Sequence, residues 1–278
     1  MLEAAKTAHE ATLRHIRTPI GKLATRLHSY FALIGDSSAV SLVNAAQRAY
    51  AMPLVAARAD LASLPMLSAA APLKCGGRSG PHSYTDIAAG PLAIKDVADI
   101  YPYPNSLRVV KVDGAVLREW LERSASIFHR IDAGQRGDQP LLGAAFAAYN
   151  FDVIDGVKYT IDVTEPARYD ESDALVAPRA HRICDLTLKG APVDPNQPFL
   201  VVTNNYRASG GGFPGCDGTS VVIEAPDANR DVPSSMSEVK PKSRQNRMAP
   251  GALPLGQASW LRPISRRLPR RTSRRRSA

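Results

Sequence analysis

Several things are scarce in this chain of 278 residues, and each scarcity excludes a class of protein. Cysteine occurs three times, as Cys75, Cys184 and Cys216, with no C-x-x-C pair. An odd count at wide spacing supports neither a disulfide framework nor a structural zinc site. No apolar run reaches the roughly 18 residues of a membrane-spanning helix. The first residues carry Glu3, His9, Glu10 and Arg14 without an apolar core, so no signal peptide is expected. H-E-x-x-H, G-x-S-x-G, the P-loop and G-x-G-x-x-G are all missing. The histidines at 9, 15, 28, 82, 129 and 181 are scattered, with no pair at ligand spacing. A dinuclear hydrolase centre needs clustered ligands, so none is expected within this chain.

Acids are missing from one region only. Residues 239–278 hold 12 of the 35 Lys and Arg and no Asp or Glu, while the rest sets 23 cations against 26 acids. The body is therefore mildly acidic, and the net charge of +9 comes from the tail. A nucleic-acid reading, which a basic protein usually prompts, applies only to those forty residues. The run Ser265 to Ala278 is Arg-rich and of low complexity, and its composition predicts disorder from about residue 240 onward.

What is present reads as a folded body. The hydrophobic share is 44%, ordinary for a globular chain long enough to build a core. Helical spacing predicts helices over 2–17, 39–50 and 91–101, the last with Pro91 in its first turn. Residues 68–90, rich in Ala, Gly and Pro, read as loop with short strand pieces. Leu107 to Val112 alternate as a strand does. Asp113 is a fitting N-cap for a helix over 114–130, with a stripe of Val116, Leu117, Trp120, Leu121, Ile127, Phe128 and Ile131. Tyr149–Ile154 and Val157–Val163 flank Asp155-Gly156, a two-residue hairpin signal. Further strands are expected over Ile183–Leu188 and Phe199–Thr203. Helices and strands mix without a βα repeat, which indicates an α+β fold.

Three local patterns suggest ligand contact. Tyr103 lies in the proline-stiffened stretch Tyr101-Pro-Tyr-Pro-Asn105. Tyr206 follows a buried strand in Thr203-Asn-Asn-Tyr-Arg207, just before Gly210, Gly211 and Gly212. Two tyrosine faces on loops held by rigid elements could clamp a nucleobase, or each could pack on the core with its hydroxyl wet. Lys74, Arg78 and the intervening glycines could cradle a phosphate or form a solvated turn.

Taken in order, longer segments resemble a known family. They are Leu67-Ser-Ala-Ala-Ala-Pro-Leu-Lys74 with Gly76-Gly-Arg78, Gly90-Pro-Leu-Ala93, Tyr103-Pro-Asn105, Tyr149-Asn-Phe-Asp-Val-Ile-Asp-Gly156 and Val202-Thr-Asn-Asn-Tyr-Arg-Ala-Ser-Gly-Gly211. Over about residues 1–231 the chain resembles the C-terminal domain of the 5′-nucleotidase superfamily. Within it, the likeness is to the bacterial bifunctional 2′,3′-cyclic-nucleotide 2′-phosphodiesterase/3′-nucleotidases.

The resemblance implies mixed sheets with flanking helices, and a mononucleotide or cyclic nucleotide as ligand. It implies a base held between Tyr103 and Tyr206 with Asn105 beside it, Arg78 and Lys74 toward the phosphate, and Gly210 and Gly211 in the pocket wall. Two divalent metal ions are expected on a metallophosphoesterase half that these residues do not contain. That half is either absent from a truncated or frameshifted product or separately encoded as a partner. Residues 1–18 resemble the interdomain linker helix, 19–231 the nucleotide-binding domain, and 232–278 match nothing in the family. The family implies a periplasmic setting; the lack of a leader implies a cytoplasmic one; no membrane association is expected. The alternative reading is a non-enzymatic nucleic-acid-binding protein acting through the Arg-rich tail.

Overall fold

The computed structural model describes residues 2–77 and 80–228. The disorder expected beyond about residue 240, and with it the nucleic-acid reading of the tail, lies outside the described residues. Among the described residues no helix is long and apolar enough to cross a membrane.

A five-stranded sheet forms the centre. Its strands are β3 (Met66–Ala70), β6 (Ser106–Asp113), β7 (Val153–Asp155), β11 (Pro198–Asn204) and β12 (Val221–Ala228), in the order β12-β6-β11-β3-β7. Strands β11 and β3 run parallel; every other pair in this sheet is antiparallel. Alternation along the strands sorts side chains onto two faces. Leu107, Val109, Leu200 and Val202 meet Ala46, Ala51 and Val55 of helix α2 (Ser38–Ala56) on one face. Val110, Val112, Phe199 and Val201 meet Leu117, Trp120 and Leu121 of helix α4 (Gly114–Ser124) on the other. That second layer is completed by a three-stranded sheet of β8 (Val157–Ile161), β9 (Ile183–Leu188) and β10 (Ala191–Pro192).

The remaining elements cluster at one end. Helix α1 (Leu2–Ile16) is mostly exposed. Strand β1 (Pro19–Leu23) pairs with β5 (Gly90–Ala93), and β2 (Leu27–His28) with β4 (Asp86–Ile87). Helix α3 (Ile94–Ile100) follows β5 directly, and the one-turn helix α5 (Asn205–Ala208) follows β11. The α+β expectation agrees with this architecture, as do the strands placed near 107–112, 183–188 and 199–203.

Three helix boundaries are corrected. Helix α2 runs past residue 50, through Pro53, because Ala51 and Val55 continue its buried stripe. Pro91 lies in β5 and α3 begins at Ile94; Asp96 Oδ2 accepts from Ala93 N at 2.8 Å and fixes that start. Helix α4 stops at Ser124 and tightens into a 3-10 turn over Ala125–Ile127. Ile127 and Phe128 then leave the α4 stripe for a separate cluster with Phe146, Phe151 and Val163. The N-cap is as read: Asp113 Oδ1 accepts from Val116 N at 2.8 Å.

The hairpin at Asp155-Gly156 does not form. β7 pairs with β3 and β8 with β9, so the two strands belong to different sheets. Residues 149–150 sit in a 3-10 turn (Ala148–Asn150) instead of a strand. Gly156 is the corner between the sheets, at φ 111°, and a Cβ there would lie 2.4 Å from Leu67 Cδ2. Leu67 is buried in the central core and cannot yield. Gly156→Ala is therefore expected to destabilise the fold by about 1–3 kcal/mol, read as a lower midpoint in urea denaturation. An unchanged midpoint would show that the corner relaxes.

Candidate functional site

The parallel pair β3–β11 decides where a site can form. Ligand clefts in such sheets open at the carboxyl ends of parallel strands. Ala70 ends β3, with Ala71 just beyond it, and Asn204 ends β11. The antiparallel neighbours begin at the same edge, so Asn105 enters β6 there and Asp152 enters β7. At this edge a cleft of about 260 Å³ opens, and Tyr103, Asn105, Tyr149, Tyr206, Asp152 and Arg207 are among its walls. Tyr103 and Tyr206 are about half exposed and so sit near its mouth.

Local hydrogen bonds hold both tyrosine loops. Asn204 caps α5, its Oδ1 accepting from Arg207 N at 2.8 Å. Asn204 Nδ2 donates to the Tyr101 hydroxyl at 3.0 Å, and Asn105 Nδ2 donates to the same oxygen at 3.3 Å. The buried Tyr101 thus joins the Tyr103 loop to the Tyr206 turn. Ser106 N donates to Asn205 Oδ1 at 3.0 Å, a second tie between them.

Beneath Tyr206 lies a buried charge network. Arg207 is 2% exposed, and its Nε stands 2.7 Å from Asp152 Oδ2. The same carboxylate oxygen accepts from Trp120 Nε1 at 2.8 Å. Arg207 Nη2 donates to the Tyr149 carbonyl at 2.9 Å and to Asn150 Oδ1 at 3.0 Å. Its guanidinium centre lies 3.7 Å from the Phe213 ring centroid, a cation–π contact. Arg123 flanks the same ring at 5.5 Å and is paired with Asp173. Burial, then repulsion from Arg207, lowers its pKa to about 10.

The sequence-derived residues divide. Tyr103, Asn105 and Tyr206 share the cleft. Lys74 does not line it; its ammonium pairs with Asp99 beside a separate, shallow cleft. Arg78 lies outside the described residues. Gly210 and Gly211 are not among the lining residues. Gly211 instead lies behind the site, at φ 79°, where a Cβ would come within 2.6 Å of Arg207 Nη1. Its role here is to let the buried guanidinium sit under the turn.

Sequence reasoning missed Gln47, Tyr101, Tyr149, Asp152 and Arg207 as parts of this site. Gln47 carried a readable signal, a polar residue on the buried stripe of α2 between Val43 and Ala51. Its Oε1 accepts from Ser68 Oγ at 2.8 Å, while Nε2 is buried without a partner. Arg207, next to Tyr206, gave no signal, since adjacent residues of one turn usually share exposure to solvent.

The described residues offer no group of three or more His, Cys, Asp or Glu suited to a metal ion. The residues present therefore do not fit a two-ion centre. The thiols are not placed as nucleophiles either. Burial raises the Cys75 pKa to about 11 and pushes Cys216 higher still, and Cys184 is raised as well.

Residues 19–216 match the family described as 5′-nucleotidase, C-terminal domain. A Salmonella typhimurium 2′,3′-cyclic-nucleotide 2′-phosphodiesterase/3′-nucleotidase is 49% identical over 229 residues, 82% of this chain and 35% of that protein. The trifunctional nucleotide phosphoesterase protein YfkN of Bacillus subtilis is 46% identical over 81% of this chain and 15% of its own length. A 5′-nucleotidase precursor from Thermus thermophilus shares the fold, with a TM-score of 0.61 at 17% identity over 88% of this chain and 42% of that one. The chain thus spans about a third of the Salmonella relative.

One outcome follows from the buried network and a second from the raised thiol pKa values. Asp152→Ala leaves Arg207 charged and unpaired in the interior, so a loss of about 3–5 kcal/mol is expected in chemical denaturation. A change under about 1 kcal/mol would mean water reaches the guanidinium. A thiol-specific disulfide reagent at about pH 8 is expected to label the native chain slowly and all three cysteines once the chain is unfolded, because the folded thiols stay protonated. Rapid native labelling would contradict that.

Proposed function

The chain belongs to the 5′-nucleotidase C-terminal domain family, and from that premise we propose that residues 19–231 bind a mononucleotide or 2′,3′-cyclic nucleotide. Its heterocycle lies between Tyr103 and Tyr206. The supporting observation is that these rings, distant in sequence, open on one cleft together with Asn105. Both rings are about half exposed, and hydrogen bonds through Tyr101 hold their loops together. Stacking of this kind tolerates any base, since every base has a π face. Asn105 gives the edge of the base a polar neighbour.

The names of the Salmonella and Bacillus relatives suggest the larger setting. In this reading the whole protein hydrolyses 2′,3′-cyclic nucleotides to 3′-nucleotides and then to nucleosides. This chain contributes the substrate-holding part and, taken alone, binds without turnover. A metallophosphoesterase domain, the proposed partner of these residues, would hold the metal ions and supply the hydrolytic chemistry. Residues 1–18 form the linker toward it, and the setting is periplasmic. Arg78 is assigned to the phosphate, while the Lys74 ammonium is held by Asp99 outside the cleft.

The test is titration calorimetry of the full chain with adenosine 3′-monophosphate. Tyr103→Ala and Tyr206→Ala are each expected to weaken binding by about 1–3 kcal/mol, and Phe at either position to restore it. Wild-type affinity in both alanine variants would exclude the clamp.

A further inference from the structure

Besides Tyr101, Tyr103 and Tyr206, the wall of the cleft contains a fourth tyrosine, which the stacking reading leaves without a role. Tyr149 is 44% exposed and lines the same cleft as Tyr103 and Tyr206. Its ring centroid lies 6.3 Å from that of Tyr206, with the two planes at 85°. A heterocycle stacked on Tyr206 lies parallel to that ring, and so nearly perpendicular to Tyr149. Tyr149 therefore cannot be a second stacking face for the same ligand ring.

An edge-to-face contact does something else. It is a favoured geometry for two aromatic rings, because the positive edge of one meets the negative face of the other. An exposed tyrosine at the mouth of a cleft otherwise samples several rotamers, and fixing one on binding costs affinity. The contact with Tyr149 restricts Tyr206 before a ligand arrives.

Tyr149 is itself well held. Its carbonyl accepts from Arg207 Nη2 at 2.9 Å, and the neighbouring Asn150 Oδ1 accepts from the same nitrogen at 3.0 Å. Arg207 is the residue after Tyr206, buried on Asp152 and Phe213. One guanidinium therefore fixes the backbone under both rings, coupling the 3-10 turn before β7 to the turn after β11.

We infer that Tyr149 is a positioning residue, which sets the Tyr206 ring in its stacking orientation and acts on the ligand through that ring. The inference rests on the nucleotide reading of the cleft and adds to it a specific division of labour: Tyr206 stacks, Tyr149 orients.

The experiment is a double-mutant cycle on the full chain, read by titration calorimetry with adenosine 3′-monophosphate. Tyr149→Ala is expected to weaken binding about three- to tenfold, the scale of one aromatic pair. Tyr149→Phe keeps the ring and is expected to bind as the wild type does. In a Tyr206→Ala background, Tyr149→Ala is expected to cost nothing further, because the ring it orients is gone.

Three results overturn the inference while leaving the clamp standing. They are unchanged binding by Tyr149→Ala, a loss in Tyr149→Phe equal to that in Tyr149→Ala, or additive losses in the Tyr206→Ala background. The second would make the hydroxyl a direct ligand contact. A wild-type chain that binds no nucleotide overturns the clamp and this inference together. A measurement free of variants stands beside the cycle: a nuclear Overhauser effect between the Tyr149 and Tyr206 ring protons in the unliganded wild type. Its presence is expected, and its absence overturns the positioning role even if a variant fails to fold.

Discussion

The parallel pairing of β11 with β3 is the constraint on which the site depends. Leu200 meets Met66, Val201 meets Leu67 and Val202 meets Ser68, across more than a hundred residues of sequence. A shift of one residue would turn Phe199 and Val201 away from α4 and send Leu200 and Val202 into the wrong layer. With the register fixed, both strands end at the same edge, and their antiparallel neighbours begin there. Separate chain segments then deliver Tyr103, Tyr149, Asp152 and Tyr206 to one opening. No single segment contains a site.

Below that opening the fold keeps two arginines where an apolar core would be simpler. Burial of a guanidinium is costly, and a buried ion pair is weak evidence of added stability. Arg207 offsets the cost with Asp152, two oxygens of the Tyr149–Asn150 turn and the face of Phe213. The return is geometric. One planar group with several donors in fixed directions ties α5, the entry to β7 and, through Asp152 and Trp120, helix α4. A leucine at 207 could fill the volume but could not fix the carbonyl of Tyr149. This is how a cleft with exposed aromatic rings can rest on a rigid base.

In the proposed reading, stacking faces, an amide and a buried ion-pair network supply recognition and orientation. They supply neither a nucleophile of suitable pKa nor a cluster of metal ligands among the described residues. In that same reading the domain holds a nucleotide for chemistry performed elsewhere, and base preference is loose because every base has a π face.

Much of the local structure was legible in the sequence, and the reasons are local. Asp113 caps α4 because its carboxylate reaches the third amide onward whatever lies beyond. Leu107–Val112 and Phe199–Thr203 read as strands because their alternation, or their unbroken apolarity, matches a sheet buried on both faces. The motifs around Tyr103, Asn105 and Tyr206 marked them by family resemblance before any contact was known. The hairpin at Gly156 misled because its signal describes a turn, and a turn does not say which strands will pair. The sequence could not name the partner of Lys74, because a cation beside glycines looks the same whether it faces a phosphate or, as here, Asp99. Composition and periodicity thus determined the fold class and most elements, since each depends on neighbours within a few residues, while two of the ring positions came from the family resemblance. Only the tertiary structure decided that Tyr149 stands across Tyr206 and that Arg207 is buried beneath both, because those facts depend on strand pairing between segments far apart in the chain.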